Sequence, residues 1–291
     1  MNKSISSRPV IKAGWLRALL YIVALGLGAG ITIGVYIATL PMSHLTTQIL
    51  QSINPGVITL LLFVPALLIT FIFRRWIDRK SFISLGLHLE GHVQEAMAGA
   101  LFAIFIIGAS SLLLKATGHL KWMDIIFDPR ALFLTFGSIL LIAFYEELIF
   151  RGYILNNLMD SFPKWLALLI SALLFMIFHW NSAGFFPVLT TLIMGLIIGL
   201  NYLYTRNLWF SICFHTAWKY FEAPLLGFSG NESSQTLLQI DLHGDENITG
   251  GVNGLEGSVF LMAVSLLSLL TLYLLLQKKL NPRSQPVPGR I

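Results

Sequence analysis

The sequence predicts an all-α fold: a polytopic membrane helix bundle of about eight transmembrane helices, with both termini cytoplasmic. Three observations predict it. Of the 291 residues, 56% are hydrophobic and only 11% charged, against about 25% charged in an ordinary soluble domain. Apolar runs near the roughly 20 residues needed to cross a bilayer fall at 15–40, 56–74, 95–115, 131–158, 164–180, 185–204, 207–223 and 256–277. Lysine and arginine divide unevenly between alternate connections, 15 on one side and 4 on the other, and the basic side is expected in the cytoplasm. No shift in composition divides the chain, so 1–291 reads as a single integral membrane domain.

In chain order, the first run follows Lys3, Arg8, Lys12 and Arg17, and the connection after it, 41–55, carries no basic residue. Gly26, Gly30 and Gly34 recur every fourth residue on this run, a spacing that lets helices approach closely in lipid. Arg74, Arg75, Arg79 and Lys80 follow the second run, and 79–94 reads as a partly amphipathic connection on the inner surface. After the third run Lys115, Lys121 and Arg130 are diluted by Asp124 and Asp128. Pro163 suits the start of the fifth helix. Gly195 and Gly199 repeat the small-residue spacing on the sixth run, and the seventh is the shortest and most polar. The external stretch 227–257 is rich in Gly, Ser, Asn and acid; its Asp241, His243, Asp245 and Glu246 read as a solvated loop rather than a metal site.

The net charge of +5 does not point to nucleic acid. The basic residues sit beside apolar runs, as membrane orientation requires, so the expected partner is the lipid bilayer and not nucleic acid. The lone Cys213 excludes an intrachain disulfide and any multi-cysteine metal centre.

The chemistry concentrates in the fourth run, at Phe144-Tyr145-Glu146-Glu147-Leu148-Ile149-Phe150-Arg151-Gly152-Tyr153. Each charge in lipid costs roughly 2.5–3.5 kcal/mol on insertion scales, so three together need a reason. Glu147 and Arg151, one turn apart on one face, are placed to pair. Glu146 lies about 100° round the helix and is left to face a polar cavity. His179 at the end of the fifth run and His215 in the seventh are the other intramembrane titratable groups of note. From a start near Lys164, His179 lies about 22 Å up its helix, and His215 about 12 Å up from Asn207. Glu146 meets them if the fourth helix continues past Arg151 to Leu158, as the apolar pattern of Tyr153, Ile154, Leu155 and Leu158 predicts. Converging in a wet pocket, Glu146, His179 and His215 can do one of two things. They can hold zinc or another divalent metal with a position open for water. Without metal, Glu146 and His179 can activate water while His215 donates to a developing oxyanion. Both schemes hydrolyse an amide.

The string E-E-x-x-x-R-G, then F-x-x-x-H ending at His179, then the helix bearing His215, resembles the CPBP family of CAAX-processing and bacteriocin-processing membrane proteins, related to the Rce1-type prenyl-protein endopeptidases. The likeness covers about Phe144–Tyr220, within a catalytic core at 131–222. It implies an intramembrane endopeptidase, by habit a metalloprotease. It also implies catalytic roles for Glu146, His179 and His215, with Glu147 and Arg151 in support. The implied substrate is a membrane-associated peptide or protein: prenylated CAAX chains in eukaryotic relatives, leader or lipidated peptides elsewhere. Compact size and short connections point to a bacterial cytoplasmic membrane. One position departs from the pattern. Where the family has Asn, or Asp, four residues after the third-motif histidine, this chain has Lys219. A cation there disfavours a bound metal; the expectation is that it snorkels outward or pairs with Glu222. It also sustains the alternative of a catalytically inactive membrane scaffold or bacteriocin-immunity protein of the same fold. An ion-coupled transporter is a third reading, without the duplicated halves many transporters show.

Overall fold

The structure is a computed structural model that describes residues 8–39, 55–180, 184–228 and 236–280. It is an all-α bundle with one small sheet. The helices are α1 (Gly14–Thr39), α2 (Pro55–Ile72), α3 (Val93–Ala116), α4 (Pro129–Glu147), α5 (Lys164–Phe178), α6 (Phe185–Thr205), α7 (Trp209–Tyr220) and α8 (Val259–Leu280). Helix α4 runs on through a π-helical stretch, Leu148–Leu155, to Leu158, giving the continuous 30-residue span Pro129–Leu158 that the apolar pattern predicts.

Six helices among the described residues are long and apolar enough to cross a membrane; α5 and α7 are not. The expected fifth and seventh spans are helices of 15 and 12 residues, about 22 and 18 Å long at 1.5 Å per residue and so short of a bilayer core. Their polar ends account for it. Helix α5 is bounded by Pro163 and by His179, and α7 passes at Phe221 into a π-helical turn containing Pro224.

Connections assigned to the same side by their Lys and Arg content do touch one another. On the basic side, Asp78 accepts from Arg17 Nη1 (2.9 Å), Arg74 Nη1 (3.0 Å) and Tyr153 OH (3.3 Å), and Arg17 Nη2 reaches Asp160 at 2.7 Å. On that side too, Gly86 O accepts from Leu208 N at 2.9 Å and Leu85 O from Tyr202 OH at 3.0 Å. A Cβ on Gly86, at φ 109°, would stand 2.7 Å from Arg206 O, so the close approach requires glycine. On the other side, two stretches read as loops pair as antiparallel strands, β1 (Leu120–Ile125) with β2 (Leu238–Leu242). Lys121 stands opposite Asp241, and Met123 is the extra residue of a bulge. Residues 1–7 and 281–291, on which the cytoplasmic placing of the termini falls, lie outside the described residues.

The glycine reading holds on α6 and fails on α1. Cβ atoms on Gly195 and Gly199 would meet Ala172 at 3.3 Å and Leu168 at 2.6 Å, so α5 packs tightly there. Gly26, Gly30 and Gly34 face open space, and it is Gly28, on the other side of α1, that lies against Ile69 and Pro65 of α2. Pro65 cannot donate to Leu61 O, and Thr32 Oγ1 from α1 reaches that carbonyl at 3.2 Å.

Asp78 is fully buried among its partners. Removing one member of a buried ion network leaves the others uncompensated, at a cost of about 3–5 kcal/mol. Asp78→Ala should therefore lower the thermal midpoint of the detergent-solubilised protein sharply, while Lys121→Ala, on the exposed strand β1, should leave it near wild type.

Candidate active site

The end of α4 sorts its two carboxylates by helical phase. Glu147 is wholly buried; its Oε1 accepts from Arg151 Nη1 at 3.1 Å and from His215 Nδ1 at 3.0 Å. Arg151, equally buried, donates through Nη2 to Gly195 O on α6 at 3.1 Å and lies 4.3 Å from the centre of the Phe175 ring on α5. One pair thus ties α4 to α5, α6 and α7. The π-helical stretch after Glu147 frees a carbonyl, and Ser171 Oγ on α5 donates to Phe150 O at 3.2 Å.

Glu146 points elsewhere. Its Oε2 meets His179 Nε2 at 3.1 Å and His215 Nε2 at 3.7 Å. The three groups come from α4, the C-terminal boundary of α5, and α7, and the fold brings them into one pocket as expected. Their other ring atoms fix the tautomers. His179 Nδ1 donates to Phe175 O at 2.9 Å, and His215 Nδ1 donates to the carboxylate of Glu147. With Nδ1 so engaged, each ring turns its Nε2 towards Glu146.

The cavity over this cluster has a volume of about 650 Å³ and is lined by Ala131, Thr135, Ile139 and Ile142 of α4 as well as Lys219, Pro224 and Thr236. It is large enough for a stretch of peptide and several waters at about 30 Å³ each. Lys219 neither snorkels free nor pairs directly with Glu222. Its Nζ donates to Glu256 Oε1 at 2.8 Å; the same oxygen accepts from Trp218 Nε1 at 3.1 Å, and Glu222 accepts from the Glu256 backbone N–H at 3.0 Å. Glu256 reaches Lys219 from the turn before α8. With 36 residues between them, no helical spacing in the sequence announces that contact.

Zinc or another divalent metal at this site would take Glu146 Oε2 and the Nε2 atoms of His179 and His215 as its donors. Among the described residues no group of three or more His, Cys, Asp or Glu side chains is arranged to hold a metal ion. The ammonium of Lys219 shares the same cavity and opposes a second cation.

Sequence reasoning missed Phe175, Gly195 and Glu256 as supports. The first was visible as the F of F-x-x-x-H, one turn before His179, where its carbonyl orients the imidazole. The other two act through a backbone carbonyl and a loop carboxylate, for which the sequence carries no signal.

Residues 128–221 match the family model described as type II CAAX prenyl endopeptidase Rce1-like. The likeness drawn from the motifs is thereby shown over that segment, which contains Glu146, Glu147, Arg151, His179, His215 and Lys219. Comparison with curated proteins and with solved structures gives no match.

The two glutamates should separate by experiment. Glu147→Ala strands the buried Arg151 and should destabilise the fold by about 3–5 kcal/mol. Glu146→Gln keeps the side-chain shape beside His179 and should leave the thermal midpoint close to wild type.

Proposed function

We propose that this integral membrane protein is an endopeptidase that hydrolyses a peptide bond of a membrane-associated peptide or protein, with a water activated by Glu146 and His179. One observation carries the reading: Glu146 stands between the Nε2 atoms of two imidazoles at the foot of a cavity wide enough for peptide and water. The Rce1-like match over 128–221 supports a CAAX-type intramembrane protease kind of function.

A single proton shared by the three groups gives the site both an acid and a base. When it rests on His215 Nε2, Glu146 is a carboxylate, and an N–H donor stands beside it. A water held against Glu146 and His179 gives up a proton to the carboxylate as its oxygen adds to the scissile carbonyl. The oxyanion that forms is met by the His215 N–H and by the Lys219 ammonium, whose position Glu256 fixes. Collapse of the tetrahedral species breaks the C–N bond, and Glu146 returns the proton to the leaving amine. Glu147 and Arg151 act by holding His215 in the tautomer that this sequence of steps needs.

Removing a positioned general base costs about 10²–10⁴-fold, and removing an oxyanion donor about 10²–10³-fold. Purified Glu146→Gln and His179→Ala should lose cleavage of a peptide library by at least about 10²-fold while remaining folded. Lys219→Met should lower kcat more than it raises KM. Cleavage retained by Glu146→Gln refutes the assignment. Cleavage by the wild type that a chelator abolishes, with stoichiometric metal in the purified protein, replaces this scheme with the metal-bound one.

A further inference from the structure

The cavity has a direction. Ala131, Thr135, Ile139, Ile142 and Glu146 line it from α4 and recur every third or fourth residue, so they form one stripe along that helix. The stripe runs from the first turn of α4 to the acid, about 22 Å at 1.5 Å per residue. From its second turn exposure falls along it: Ala131 is half-buried, Thr135 exposed, Ile139 and Ile142 half-buried, and Glu146 buried. The facing wall is built from the end of α7 and the chain beyond it, through Lys219, Ala223, Pro224 and Thr236. Tyr220 OH donates to Leu132 O at 3.3 Å, which ties that wall to the first turn of α4. All of this belongs to the end of the bundle that bears the β1–β2 sheet.

Past Glu146 this cavity is closed by packed side chains. Glu147, Leu148, Arg151, Tyr153 and Leu155 have no exposed surface, nor do Leu208 and Ile212 across from them. Beyond these lie the Asp78 network and the contacts of Leu85 and Gly86 with Tyr202 and Leu208, at the end that carries Arg74, Arg75, Lys80, Lys164 and Arg206. The sealed end is the basic one.

We propose that the catalytic cavity is entered from the sheet-bearing, non-cytoplasmic face, so that the substrate class is a peptide presented from outside: an exported or outward-facing chain attached to the membrane. The chain leading into α4 suits such a substrate. Met123, Ile125, Ile126, Phe127 and Phe133 are more than half exposed around the start of α4, an apolar surface that a chain already held in the outer leaflet meets first. The proposal deepens the endopeptidase reading and rests on it for the word substrate, but the side of access is testable without any cleavage.

The test places single cysteines in the full chain with Cys213→Ser, at Thr135 in the mouth of the cavity, at Lys121 on β1 and at Lys80 on the closed side. Right-side-out and inside-out vesicles from the expressing cells are treated with a membrane-impermeant maleimide. Thr135→Cys and Lys121→Cys should label in right-side-out vesicles and lose that labelling in inside-out ones, with Lys80→Cys showing the reverse. Labelling of Thr135→Cys from the same side as Lys80→Cys overturns the proposal, as does labelling of Lys80→Cys from outside or protection of Thr135→Cys on both sides. Ala131→Cys repeats the reading should Thr135→Cys fail to accumulate. A catalytically dead protein that labels as expected removes the endopeptidase assignment and leaves the direction of access standing.

Discussion

The buried pair of Glu147 and Arg151 is the constraint on which the site depends. Two charges held out of water are tolerable only when each finds strong partners, and here those partners are distributed over the whole core. The carboxylate takes Arg151 and His215; the guanidinium takes Glu147, the Gly195 carbonyl and the face of Phe175. Satisfying one ion pair therefore fixes α4, α5, α6 and α7 relative to each other. The same act sets the ring of His215, and Phe175 sets that of His179. The geometry around Glu146 follows from these commitments rather than from contacts of Glu146 itself.

This division explains how two adjacent glutamates serve different ends. One residue along a helix is a turn of about 100°, enough to put Glu147 into packed protein and Glu146 at the edge of a cavity. The lysine that stands where relatives of this motif carry an amide or an acid is accommodated by the same logic. Glu256 and Glu222 surround it from the turn before α8 and from the end of α7, so a cation at the cavity wall is compensated within the fold.

Much of the bundle was legible because membrane chains declare themselves by run length and by the placing of Lys and Arg. The site was legible because charge in an apolar run is costly enough to be meaningful: Glu146, Glu147, Arg151, His179 and His215 stood out for that reason, and all five come together. Other features left no local trace. The shortness of α5 and α7 depends on where polar ends are tolerated, not on apolar run length. The pairing of β1 with β2 joins segments more than a hundred residues apart, neither of which alternates clearly. The small-residue triple on α1 was misread because spacing says which residues share a face, not whether anything lies opposite; Gly28 does the packing. Glu256 was hidden for the same reason, since an acid in a polar loop looks solvated until its partner is known.

The wide turn of backbone between Leu148 and Leu155 has a consequence of its own. It lies between Glu146 at one depth and the residues Tyr153 and Asn157 that approach Asp78 at another. A helix of ordinary pitch over the same residues would leave the two groups out of angular step by roughly one residue's rotation. The distended stretch works as a phase adjuster, letting a single rod present one azimuth to the reaction chamber and another to the anchor beneath it. Losing or gaining a single residue there would put the upper half of the rod and its footing in competition for the same rotation, so this interval is expected to resist changes of length that surrounding connections absorb.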